Sequence, residues 1–186
     1  TAQLETGLTA PALSRPGRTV DVTVQYTNRG TVDMPSPLFT IQGLDGMASR
    51  FPESPVPGGD AWKDGASVSV LGISNDGPAS ILRPGQSVEL TLEARTPFSE
   101  GDIPFTLFSI GDPGDVALTG PIDWDALHDT LRPAYATDDA WEPVFERLRA
   151  QIGATWGDYL AMLHDNADHL AVLDQRSADA AGLYSF

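Results

Sequence analysis

The feature that most restricts the fold is a strand that announces itself twice. Arg15-Pro16-Gly17-Arg18 is a turn sequence, and it opens Thr19-Val20-Asp21-Val22-Thr23-Val24-Gln25-Tyr26, where apolar and polar residues alternate. Side chains of a strand point to opposite faces in turn, so Val20, Val22, Val24 and Tyr26 share one face and define a half-buried antiparallel strand. Asn28-Arg29-Gly30 closes it with residues that favour turns. The same grammar returns later. Leu82-Arg83-Pro84-Gly85-Gln86-Ser87 turns the chain into Val88-Glu89-Leu90-Thr91-Leu92-Glu93-Ala94, with Val88, Leu90, Leu92 and Ala94 on one side.

Weaker strands lie around these two. Residues 4–13 give an apolar stretch broken by Ser14-Arg15-Pro16-Gly17, the pattern of an edge strand. Residues 37–42, 66–73 and 104–110 supply three more, with a Pro- and Gly-rich excursion over residues 52–65. Short strands at this spacing, without an intervening helical pattern, predict a sandwich of about seven strands.

The stretch from Arg15 to Gly30, with its Pro-Gly turn, alternating strand and Asn-x-Gly turn, resembles the opening of bacterial immunoglobulin-like domains of the CARDB and related kinds. The segment 82–94 is similar to their later Pro-Gly-initiated strand. The resemblance covers roughly residues 1–111. It implies an immunoglobulin-like fold at the cell surface or in a secreted protein, often in tandem arrays, without catalysis. The long insertion over residues 43–65 departs from a minimal domain of that kind.

The period changes after Gly111-Asp112-Pro113-Gly114-Asp115, which begins a junction over residues 112–122. Residues 122–131 predict a short helix stopped by Pro133. Asp139 and Glu142 have capping-box spacing with Pro143 in the first turn, and Trp141, Val144, Phe145, Leu148 and Ile152 then share a face that Gly153 ends. Thr155 and Asp158 repeat the spacing and open a helix striped by Trp156, Tyr159, Leu160, Leu163, Ala167 and Leu170. Ser177 predicts a last short helix over residues 178–184. The expected layout is thus α+β by segment: an immunoglobulin-like β-sandwich over 1–111, the junction, and an acidic segment of two to four helices over 123–186. A helical piece of this size is marginal alone, so it is expected to dock on the sandwich through its Trp and Phe face, or to link from it. The run from Ala154 to Leu160 is also similar to linker segments between repeats of very large secreted bacterial proteins.

Charge narrows the partners. Eleven basic residues stand against twenty-six acidic ones, a formal net charge of -15, which repels phosphate backbones and anionic lipid. Nucleic acid is not expected as a partner. Residues 123–186 carry four basic and twelve acidic groups, the denser share of the negative charge. No apolar run approaches a membrane span, so membrane insertion is not expected either. Thr1 opens without a basic-then-apolar leader, which places any secretion signal outside this stretch. There is no cysteine, which removes disulfides and thiol chemistry together.

Four residues stand out as candidate ligands. Asp112, Asp115 and Asp123 are carboxylates on a Gly-containing junction, the kind of oxygen donors calcium takes, although their spacing is not that of an EF-hand loop. Trp62, on the long insertion, is a carbohydrate candidate if it stands exposed among polar side chains. His164 and His169 are five apart and cannot share a helix face as metal ligands; with Asp165 they read as a solvated polar face. Nucleophile-elbow, zincin and phosphate-loop motifs are missing from the sequence, and the only imidazoles are His128, His164 and His169. The expectation is therefore a non-enzymatic structural or adhesive spacer of a larger extracellular bacterial protein, with no cofactor and with neighbouring domains or a surface glycan or protein as partners. A carbohydrate- or calcium-binding accessory module and a fragment of a secreted hydrolase are the alternatives.

Overall fold

A computed structural model describes residues 1–52, 61–74, 77–99, 101–112, 114–132 and 136–173. Its strands, in chain order, are β1 (Leu4–Thr9), β2 (Thr19–Asn28), β3 (Met34–Pro35), β4 (Leu38–Gln42), β5 (Ala48–Arg50), β6 (Lys63–Asp64), β7 (Ser67–Leu71), β8 (Ile81–Leu82), β9 (Ser87–Arg95) and β10 (Thr106–Ile110). A 3-10 turn, Val116–Thr119, precedes helices α1 (Trp124–Leu131), α2 (Asp138–Ile152) and α3 (Trp156–Leu173). The layout is α+β, with a mostly β N-terminal part and the helices after it.

The two alternating segments pair with each other. β2 and β9 run antiparallel at the centre of a five-stranded sheet of order β1-β2-β9-β5-β6. Their register sets Val22 opposite Leu92 and Val24 opposite Leu90, so both apolar faces fall on the same side. A three-stranded sheet of order β10-β4-β7 faces it, and β3 with β8 forms a two-stranded ribbon. Val20, Val22, Val24 and Tyr26 from one sheet meet Phe39, Ile41 and Val70 from the other in one core. Tyr26 and Phe39 stack across it with ring centroids 4.9 Å apart. Burying each such side chain contributes about 1.5–3 kcal/mol, which is why the alternation dictates the pairing. Burial in that core also pushes the Tyr26 hydroxyl well above its ordinary pKa, and the hydroxyl donates to the Ile73 carbonyl at 2.7 Å.

Ten strands rather than about seven are present among the described residues. Four of them, β3, β5, β6 and β8, match none of the predicted segments; they have only two or three residues each and form through pairing with partners distant in sequence. No alternation marks them.

The helical segment is docked. Leu38, Leu71, Ile73 and Ala79 of the strand-bearing part join Ile122, Leu127, Ile152, Tyr159, Leu160 and Leu163 in a second apolar cluster. The docking face differs from the expected one. Tyr159, Leu160, Leu163 and Ala167 of α3 lie against the sandwich, whereas Trp141 and Phe145 of α2 pack with the Trp124 and His128 rings of α1. The junction residues hold the helices rather than swing free. Trp156 donates its backbone N–H to Gly120 at 3.1 Å, Ile122 donates to Ala154 at 3.2 Å, and Pro121 bridges to Thr155.

Helix starts show one match and one shift. At α3, Asp158 donates its N–H to the Thr155 hydroxyl oxygen, and its carboxylate accepts from the N–H groups of Ala154 and Thr155, as the spacing predicts. At α2 the N-cap is Thr137, whose carbonyl accepts from Ala140 and Trp141, so Asp139 lies inside the first turn and Pro143 beyond it. Gly153 ends α2 at φ 103, a region glycine enters without strain. The side chain of Leu170 and the helix expected over residues 178–184 lie outside the described residues. Among those residues no helix is long and apolar enough to cross a membrane.

Candidate functional site

Three short stretches bring chemistry together at one corner of the five-stranded sheet. β5 pairs with β9 so that Arg50 stands opposite Glu93, while Ser49 stands opposite Ala94. Ser49 and Ala94 are buried, so by the period-two rule Arg50, Glu93 and Arg95 point to the outer face. Ser49 also pairs with Lys63 of β6, which brings the preceding Trp62 alongside Arg50.

The result is an aromatic ring held by two cations. The Arg50 guanidinium lies 4.8 Å from the Trp62 ring centroid and that of Arg95 lies 4.5 Å from it. Arg50 donates from Nε to Glu93 Oε2 at 2.6 Å, in a partly buried ion pair. Arg95 is exposed and makes no ion pair among the described residues. Trp62 itself is half-buried. It is ringed by charged groups, but guanidinium groups already lie over its indole, so it is no bare stacking platform. Each contact contributes about 0.5–1 kcal/mol at an exposed site, and together they hold both guanidinium groups in place. What the corner offers chemically is a fixed, planar fork of N–H donors at Arg95, the geometry that matches a carboxylate or sulfate.

The calcium candidates are placed differently. The Asp115 carboxylate accepts from the Ala117 N–H at 2.9 Å, capping the 3-10 turn, and the Asp123 carboxylate accepts from the Ala126 N–H at 3.1 Å, capping α1. Asp112 is exposed and its carbonyl accepts from the Asp115 N–H at 2.8 Å. Asp115 and Asp123 are thus caps, while Asp112 enters the turn through its backbone carbonyl. Among the described residues, no group of three or more His, Asp or Glu side chains is arranged to hold a metal ion.

The polar face of α3 is not uniformly solvated. His164 Nε2 lies 2.7 Å from the Ser36 carbonyl, and the Asp168 carboxylate accepts from the N–H and the hydroxyl of Ser80 at 3.0 and 2.6 Å. These two side chains pin α3 to the sandwich. Asp165 and His169 are exposed, as expected of a solvated pair. The spacing of four between His164 and Asp168 was visible, but nothing local points to partners so far away in sequence.

His128 carries a further arrangement that sequence reasoning passed over. Its Nδ1 lies 3.1 Å from Asp129 Oδ1 and its Nε2 3.4 Å from Glu142 Oε2, the latter within ion-pair reach but off hydrogen-bond alignment. The ring meets Phe145 edge-on at 4.7 Å, and Trp141 Nε1 donates to the His128 carbonyl at 3.2 Å. Imidazole here joins α1 to α2. Among the described residues, no imidazole is hydrogen-bonded to a hydroxyl group.

No family model matches the chain, and no curated protein does. Among solved structures, the chain is similar to AvmM, described as catalysing macrocyclization in alchivemycin A biosynthesis. The identity is 15% and the TM-score 0.32, over 60% of this chain and 87% of that one. A likeness at that level carries no inference about activity.

Proposed function

We propose that the chain is a non-enzymatic structural or adhesive spacer module of a larger extracellular bacterial protein, with an immunoglobulin-like sandwich as its body. The observation that carries this reading is the weld between the two parts. A shared apolar cluster and the His164 and Asp168 pins join helices to strands, which makes one stiff body rather than a domain with a loose tail. Strand order supports the immunoglobulin-like assignment: β1-β2-β9-β5 follows the A-B-E-D order of those sheets, and the β4–β10 pair corresponds to C and F. Two departures remain. β7 flanks β4 although it follows β5 in the chain, and among the described residues no strand lies beyond β10. The extracellular setting rests on the resemblance of residues 15–30 to bacterial surface domains.

Rigidity is testable directly. With the chain placed between two folded reporter domains, scattering or distance-sensitive fluorescence is expected to give one narrow separation. A distribution as broad as that of a flexible linker overturns the spacer reading.

The Trp62 corner favours a second reading, an accessory module that binds a glycan bearing carboxylate or sulfate groups. Screening against acidic and neutral glycans tests it. Binding of the acidic set that Arg95→Ala abolishes supports it, and no binding to either set removes it. Calcium at the junction is tested by thermal unfolding, since a ligand of the folded state raises the midpoint with concentration. An unchanged midpoint at millimolar calcium retires that reading.

A further inference from the structure

β10 is an edge without the usual protection. Among the described residues it is hydrogen-bonded to β4 alone, which leaves one side of its backbone unpaired. Such an edge is a template for another strand, and proteins commonly guard it with charge, proline or brevity. The other sheet is guarded. Its edge strand β1 carries Glu5 beside Arg29, and its edge strand β6 is the two-residue, charged Lys63–Asp64. Thr106-Leu107-Phe108-Ser109-Ile110 has no such device.

The face beside this edge is also unusual for the chain. Phe39, Ile41 and Val70 point into the core, so their neighbours point out. The register lines them up as Thr106, Gln42 and Ser67 in one row and Phe108, Thr40 and Ser69 in the next. None of the six is charged, in a protein of net charge -15. Phe108 is 51% exposed, and among the described residues it is the only strand residue among the exposed large apolar side chains.

We infer that β10 is a self-association edge, pairing antiparallel with β10 of a second copy to join the two three-stranded sheets into one of six. A two-fold axis at Phe108 sets Phe108 against Phe108, Leu107 against Ser109 and Thr106 against Ile110. Directly opposed aromatics on one sheet face are a favourable cross-strand pair, and an isologous contact closes at two copies. Neutrality selects the occupant. Two molecules of charge -15 repel on average, the uncharged rows at this edge add nothing to that repulsion, and it is screened beyond about 10 Å in 0.1 M salt. Salt therefore strengthens this contact.

Sedimentation velocity of the full chain over a range of concentrations, at low and high salt, is the experiment. The mass is expected to rise from one chain toward two, at lower concentration in high salt, with slowed amide exchange over residues 106–110. Phe108→Lys places like charges face to face and is expected to stay monomeric with an unchanged melting midpoint. Phe108→Ser, neutral, is expected to weaken pairing less than Phe108→Lys. A wild-type monomer at every concentration and salt overturns the inference, as do a dimer unaffected by Phe108→Lys and a dimer without protection in β10.

Discussion

His164 on α3 donates from Nε2 to the backbone carbonyl of Ser36 at 2.7 Å, across 128 residues of chain. A carbonyl only accepts, so the ring nitrogen facing it carries the proton. One turn on, Asp168 holds Ser80, and the two contacts fix how the helical segment sits. His164→Phe keeps a ring and removes the donor, and Asp168→Ala leaves the Ser80 groups without their acceptor. Each is expected to cost about 1–3 kcal/mol in urea unfolding. If both variants unfold at the wild-type midpoint, the pins are not what holds α3.

Acid should loosen the start of α3 first. Hydrogen bonds from the Thr155 backbone, the Thr155 side chain and the Ala154 backbone hold the Asp158 carboxyl below its ordinary value of 3.8. A depressed folded pKa means the unfolded chain binds the proton more readily, so this stabilisation is present above pH 3.8 and is lost as pH falls through the folded value. Asp158→Asn is expected to flatten stability against pH in that acidic window. The comparison is made by chemical unfolding at a series of pH values, and a variant curve parallel to wild type contradicts it.

Alkali acts on the two buried phenols. Burial raises both Tyr26 and Tyr159 above the ordinary tyrosine value of 10.0. The folded protein therefore keeps protons that the unfolded chain gives up, and stability falls as pH rises beyond 10.0 while remaining unaffected below it. The tyrosinate absorbance of Tyr26 and Tyr159 is expected to appear only together with unfolding. Four tyrosines ionising in one unperturbed step would contradict this.

At the sheet corner, Trp62→Ala should matter little to stability. Two cation–π contacts at an exposed edge contribute about 0.5–1 kcal/mol each, so a loss of roughly 1–2 kcal/mol is expected by urea unfolding. A collapse of the fold would show that the indole is core rather than a clasp for Arg50 and Arg95.

What could be read in advance followed local pattern. β2 and β9 declare themselves because each has one face wet and one dry, and the capping boxes declare α3 because Thr155 and Asp158 interact with each other. β5 and β6 had no such signal, since three residues and two residues become strands only when β9 supplies their partner. The Trp62 corner depends on that register, so Trp62 was legible as an aromatic but its two arginines were not. The choice of docking face went the same way. Trp141 and Phe145 are the bulkier stripe, yet α1 covers them with Trp124 and His128, which leaves the sandwich to α3.

The apolar floor under α3, made by Leu38, Leu71, Ile73 and Ala79, belongs wholly to residues that precede every helix. A ribosome adding about 5–20 residues per second therefore delivers the strands before their cover. A sandwich formed before α3 would show a bare apolar patch at Leu38, Leu71, Ile73 and Ala79. An order of events in which the strands fold first therefore has a sticky interval built into it, which ends only when Tyr159, Leu160 and Leu163 have docked.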